Sequence, residues 1–224
     1  MLNKPRLLLG FVFLSLLAAM PVLAHGLAQQ NQGFLTGISG VHFIPYLYLG
    51  AKHMVTGYDH LLYLAAVIFF LARLKQVLLF VSLFALGHSI TLLSGVLLDI
   101  SVNPFLVDAI IGLSVCYKAL ENLYSAHFLN PKVMVFGFGL VHGLGLATKL
   151  QDIALSKDGL IANMLAFNLG VEVGQVLALL LLFVVISWLR RQPKFDKASE
   201  TANSIIFSSG LMIFGFQLVG FLYA

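Results

Sequence analysis

Residues 160–189 read LIANMLAFNLGVEVGQVLALLLLFVVISWL, and Arg190 and Arg191 follow at once. A hydrocarbon core about 30 Å thick needs about 20 apolar residues in a helix to cross it. This run is longer than that and holds a single acidic residue, Glu172. It reads as a membrane span closed by a basic cluster. Comparable apolar runs cover about 56–72, 76–98, 105–124, 133–150 and 203–223, so six spans are expected. The composition agrees: 60% of the chain is apolar and 10% charged, against about 45–50% and 25% in a soluble domain. The sequence therefore predicts an all-α, polytopic membrane helix bundle rather than a soluble globule or a disordered chain.

The charges set an orientation. Arg73 and Lys75, Lys132, and the run Arg190, Arg191, Lys194 and Lys197 fall on one side of the alternating spans. Lys/Arg excess marks the cytoplasmic side. Upstream, Lys4 and Arg6 precede the apolar run Leu7–Ala19, and Val22-Leu23-Ala24 is a small-x-small cleavage site. Residues 1–24 thus read as a secretory signal peptide, with an uncleaved first helix as the other reading. Residues 25–55 are expected to be a periplasmic or interfacial segment, and 56–224 the transmembrane domain. Within 36–52, the stretch Val41–Gly50 carries His42 and Pro45 and is too short to cross alone. Both mature ends are expected outside a bacterial inner membrane. Gln192–Asn203 reads as a short soluble linker, and no internal repeat stands out.

The net charge of +4 does not form a basic stripe interleaved with aromatics, which excludes nucleic acid as a partner. There is no G-x-x-x-x-G-K-[ST] signature, so no nucleotide is expected. The single Cys116 permits no internal disulfide. Lipid is a required partner, and association of several copies is left open.

Ionisable groups inside hydrocarbon cost about 2.5–3.5 kcal/mol each on insertion scales, and they survive by pairing, lining a wet cavity or holding an ion. His53, Asp59 and His60 enter the first span. His88, Ser89 and Thr91 lie in the second, and Lys118 and Glu121 near the inner end of the third. His142 is central in the fourth, beside Gly139 and Gly143. Asn168, Glu172 and Gln175 form an i, i+4, i+7 stripe on the fifth. Imidazole and carboxylate suit divalent first-row metals. His53, Asp59, His60, His88, His142 and Glu172 are therefore the candidate ligands. Thr91, Glu121, Asn168 and Gln175 are candidates for supporting or path roles. The bland alternative for each is a packed, hydrogen-bonded polar residue, and for Lys118–Glu121 an i, i+3 ion pair. Cleavage after Ala24 would also leave His25 as an amino-terminal chelate, with His42 as a third nitrogen. Nickel, cobalt, zinc or copper are all compatible with such donors.

Several stretches together resemble the HupE/UreJ family: His53-x5-Asp59-His60, His88-Ser89-Ile90-Thr91, Glu121-Asn122, Phe138–Gly143 and Phe167–Glu172. The resemblance covers about residues 50–185 and the signal peptide. It implies a small bacterial membrane protein of the nickel or cobalt permease type, with His53, Asp59 and His60 implicated in metal passage. Nickel-type members also carry F-H-G-x-[AV]-H-G-x-E. Here His142-Gly143 fits that pattern, while Phe138 and Gly145 stand where it has His and Glu. The expected function is a permease or accessory protein for a divalent transition-metal ion. The alternatives are an intramembrane metal-dependent enzyme of hydrolase or oxidase type and a metal-binding assembly factor.

Overall fold

The computed structural model describes residues 39–69, 71, 73–124, 129–151, 158–193 and 195–223; the expected signal peptide and His25 lie outside them. Their regular structure is helical throughout: α1 (Phe43–Thr56), α2 (Tyr58–Ile68), α3 (Leu74–Leu97), α4 (Pro104–Tyr124), α5 (Pro131–Gln151), α6 (Leu160–Leu189) and α7 (Phe195–Tyr223). Four of them, α3, α5, α6 and α7, are long and apolar enough to cross a membrane, at 24, 21, 30 and 29 residues. Helix α4 also has 21 residues, but it carries Asp108, Lys118 and Glu121. Each of these is paired: Lys149 Nζ donates to Asp108 at 2.8 Å and Lys118 Nζ to Glu121 at 3.0 Å.

The helices associate in three intimate pairs: α1 with α6, α3 with α5, and α4 with α7. Lipid is as apolar as leucine, so helices in a membrane gain by close backbone approach, and glycine permits it. A Cβ on Gly139 would run into the carbonyl of Phe84, and one on Gly143 into that of His88. Gly50 faces the Phe167 carbonyl in the same way. The apolar side chains displaced from these seams turn outward. Leu165, Leu177, Leu181 and Val184 on α6 are exposed, as a lipid-facing surface requires.

Helices α1 and α2 form one discontinuous element lying parallel to α6. Asn163 near the start of α6 clasps the entry to α1: its Nδ2 donates to the Gly40 carbonyl at 2.9 Å, and its Oδ1 accepts from the His42 N–H at 2.7 Å. Arg190, just past the end of α6, caps the other end by donating to the carbonyls of Ile68, Phe69 and Leu71 at 3.2, 2.6 and 2.8 Å. The expected boundary at residue 55/56 therefore falls inside this element, next to its break. Pro45 does not disturb α1, because a missing N–H is harmless in a first helical turn. The expected soluble linker 192–203 is also shorter than read. Residues 195–203 already belong to α7. Ser199 and Asn203 are buried there, and Asn203 accepts from Asn122 Nδ2 at 2.8 Å.

Candidate functional site

The break between α1 and α2 falls at Gly57, whose backbone is extended (φ −73°, ψ 103°). Its N–H donates to the His53 carbonyl at 3.0 Å, closing α1, and its carbonyl accepts from the Leu61 N–H at 3.0 Å, opening α2. A Cβ here would lie 2.5 Å from His60 Nδ1 and 3.1 Å from Asp59 Oδ1. Glycine is what lets the Asp59-His60 pair fold back over the break. Asp59 sits in the first turn of α2, where the positive end of the helix dipole favours a carboxylate.

Three imidazoles gather at this break. The ring centroids of His53 and His60 are 5.0 Å apart, and those of His60 and His142 are 5.1 Å apart. His60 comes from α2, His53 from the last turn of α1, and His142 from the middle of α5. Phe84 of α3 packs edge-on to His142 at 5.0 Å and stacks near His88 at 6.3 Å. Phe167 of α6 closes the far side against His53 at 6.0 Å. His60, His88 and His142 are buried, and His53 and Asp59 half-buried.

The hydrogen bonds fix which nitrogen is available. His60 Nδ1 lies 3.0 Å from Asp59 Oδ1, and His142 Nδ1 lies 2.7 Å from the Phe138 carbonyl. A carboxylate and a carbonyl accept only, so both Nδ1 atoms donate. In the neutral ring this leaves the Nε2 lone pair bare. Carboxylate or carbonyl support of one ring nitrogen is also how proteins orient a metal-ligating histidine. His53 Nε2, His60 Nε2, His142 Nε2 and both nitrogens of His88 are buried without a hydrogen-bond partner, as are Tyr63 Oη and the side-chain amides of Asn168 and Gln175. Unpaired buried polar atoms cost about 1–3 kcal/mol each. So many in one place indicate a site built for a polar guest.

The donor set suits such a guest. Two imidazoles on one tetrahedral ion, each with a metal–nitrogen distance of about 2.0–2.1 Å, have their centroids about 5 Å apart. The observed spacings reach that value as edge-on ring contacts, at interplanar angles of 76° and 63°. Among the described residues, no three His, Cys, Asp or Glu side chains already converge as a complete ligand set. Binding therefore requires the rings to turn toward a common point.

The other candidates have separate placements. Glu172 is exposed on the outer face of α6, away from the cluster. Thr91 Oγ1 donates to the Leu140 carbonyl at 2.7 Å and so joins α3 to α5. Asn168 and Gln175 are buried on α6. Glu121 accepts from Lys118 and from the Tyr117 hydroxyl at 2.9 Å, in a separate buried group on α4. His42 lies at the entry to α1, its Nε2 3.0 Å from the Ser39 carbonyl. Tyr63 was not anticipated. It follows His60 by one helical turn, stands 5.7 Å from His142 and lines a cavity with Gln175. The i, i+3 spacing from His60 was the available signal.

A family model described as HupE / UreJ protein matches residues 8–224. No curated protein and no solved structure matches the chain.

Proposed function

The chain belongs to the HupE/UreJ family, and from that premise we propose that it is a membrane permease, or an accessory protein, for a divalent transition-metal ion of the nickel or cobalt type. The ion is cargo here, held in transit by His53, His60 and His142. The observation that carries this reading is the run of three imidazoles, 5.0 and 5.1 Å apart, with bare buried Nε2 atoms at a helix break. Broken helices at membrane depth are tolerated where they line a site, because their free backbone ends and dipoles serve the ion. Asp59 balances the cation's charge and holds the His60 ring.

The chain would cross six times, with α1–α2 as one passage. The short links from α2 to α3 and from α6 to α7 bring Arg73, Lys75 and Arg190–Lys197 to one side, which positive-inside bias makes cytoplasmic. Both ends of the described chain then face the periplasm of a bacterial inner membrane. Uptake of radioactive nickel or cobalt into vesicles holding the purified protein tests the proposal. The unaltered protein should accumulate the ion above empty vesicles, and His60→Ala should fall to background. Equal uptake by both proteins would overturn the site.

A further inference from the structure

The glycine seams repeat. A step of 89 carries Leu47, Gly50, Ala51 and His53 of α1 to Phe136, Gly139, Leu140 and His142 of α5. A step of 83 carries Phe84 and Gly87 of α3 to Phe167 and Gly170 of α6. The contacts obey both steps at once. A Cβ on Gly50 would strike the carbonyl of Phe167, and one on Gly139 that of Phe84. A Cβ on Gly170 would meet Leu47 O and Ala51 N; on Gly87 it would meet Phe136 O and Leu140 N. The third pair maps onto itself with a step of 98. Gly112 approaches Phe214 N and Gly210 O, while Gly210 approaches Cys116 N and Gly112 O. Even the ends correspond, since Phe105 meets Gly220 as Asn203 meets Asn122.

We infer that the molecule is an inverted repeat, α1–α4 against α5–α7, and that His53 and His142 are the same position in its two halves. The inference rests on reading the chain as a permease. The two halves run oppositely, because α1–α2 lies parallel to α6 while α3 lies parallel to α5. His60, which has no counterpart imidazole (the step of 89 leads to Lys149), stands between the equivalent pair at 5.0 and 5.1 Å. The histidine row is thus the pivot of the pseudo-symmetry.

On the Arg190 side, a small cavity of about 10 Å³ lies below the row, lined by Tyr63, Val77, Val81, Phe84 and Gln175. On the Asn163 side, Leu160, Met164 and Phe167 occupy the positions equivalent to Val77, Val81 and Phe84; Met164 and Phe167 are buried, as are Val77, Val81 and Phe84, and Leu160 packs against the same core. Repeats of this kind alternate by rocking or gating of one half against the other around a fixed site. A second state follows, in which the small cavity beside Val81 closes and the Met164 side opens.

Cysteines test this without any metal. In a Cys116→Ala background, Val81→Cys and Met164→Cys are placed singly and together, and purified protein in vesicles is treated with a bulky membrane-impermeant maleimide. Each single cysteine should react from the opposite face. In the double variant, prior modification at Val81→Cys should slow labelling of Met164→Cys at least about tenfold. The equivalent pair Val77→Cys and Leu160→Cys should behave alike, which covers a folding defect in either first variant. Unchanged labelling of the second site in both pairs, or no labelling on the Asn163 side, overturns the inference. Nickel binding to the unmodified protein is measured separately. Binding without alternation removes the repeat mechanism alone, and alternation without binding removes the metal reading alone.

Discussion

Asp59 and His60 carry the chemistry of the break as a unit. The carboxylate holds Nδ1–H at 3.0 Å and so aims Nε2 into the bundle. Loss of such an orienting partner typically weakens metal binding about 10–100-fold. Asp59→Asn should therefore weaken nickel binding by that factor in a calorimetric titration while the helical circular dichroism stays unchanged. Glu172 gives the contrast. It lies exposed on α6, and Glu172→Gln should leave nickel affinity within about twofold. A loss of affinity in Glu172→Gln as large as in Asp59→Asn would place the ligands wrongly.

At the scale of the elements, stability resides in the seams and caps. Along α5, Gly139 abuts the Phe84 carbonyl, whereas a Cβ on Gly137 meets nothing within 4 Å. Overpacking costs about 1–3 kcal/mol, worth about 2–4 °C of Tm per kcal/mol in a chain of this size. Gly139→Ala should lower the thermal midpoint of the detergent-solubilised protein by several degrees, and Gly137→Ala should leave it in place. Arg190 satisfies three carbonyls that end α2; hydrogen bonds from a charged group contribute about 1.5–3 kcal/mol each. Arg190→Ala should speed amide exchange in residues 60–71 more than elsewhere. These features also show what the sequence could reveal. The apolar runs announced α3, α4, α5 and α6 nearly at their observed bounds, because membrane burial leaves its mark in composition. The joining of α1 to α2 was not legible. His42, Pro45 and Gly57 are ordinary markers of a loop, and only the clasp by Asn163 and the cap by Arg190, more than a hundred residues away, turn them into one element.

For the whole molecule, the proposed orientation rests on the positive-inside bias of the charges at the helix ends. If the chain makes the six proposed passages, its carboxyl terminus should be periplasmic. A fusion to an exported phosphatase should be active and a fusion to a cytoplasmic fluorescent reporter dark; the reverse pattern would require an odd number of crossings. The gathering of His53, His60 and His142 was readable as a cost argument, since isolated imidazoles do not persist in hydrocarbon. Which polar residues would be left out was not. The stripe Asn168, Glu172, Gln175 reads as one helix face, but the packing of α6 splits it: Asn168 and Gln175 are buried and Glu172 is exposed. The pseudo-symmetry stayed hidden because it survives in a few glycines, one phenylalanine pair and one histidine pair. A histidine row that carries a divalent ion must also hold one at equilibrium. Equilibrium dialysis of the detergent-purified protein against radioactive nickel, with His60→Ala alongside, tests it most directly. The unaltered protein should bind saturably near one ion per chain and His60→Ala should bind none; equal nickel retained by both proteins would rule out the histidine row as the site.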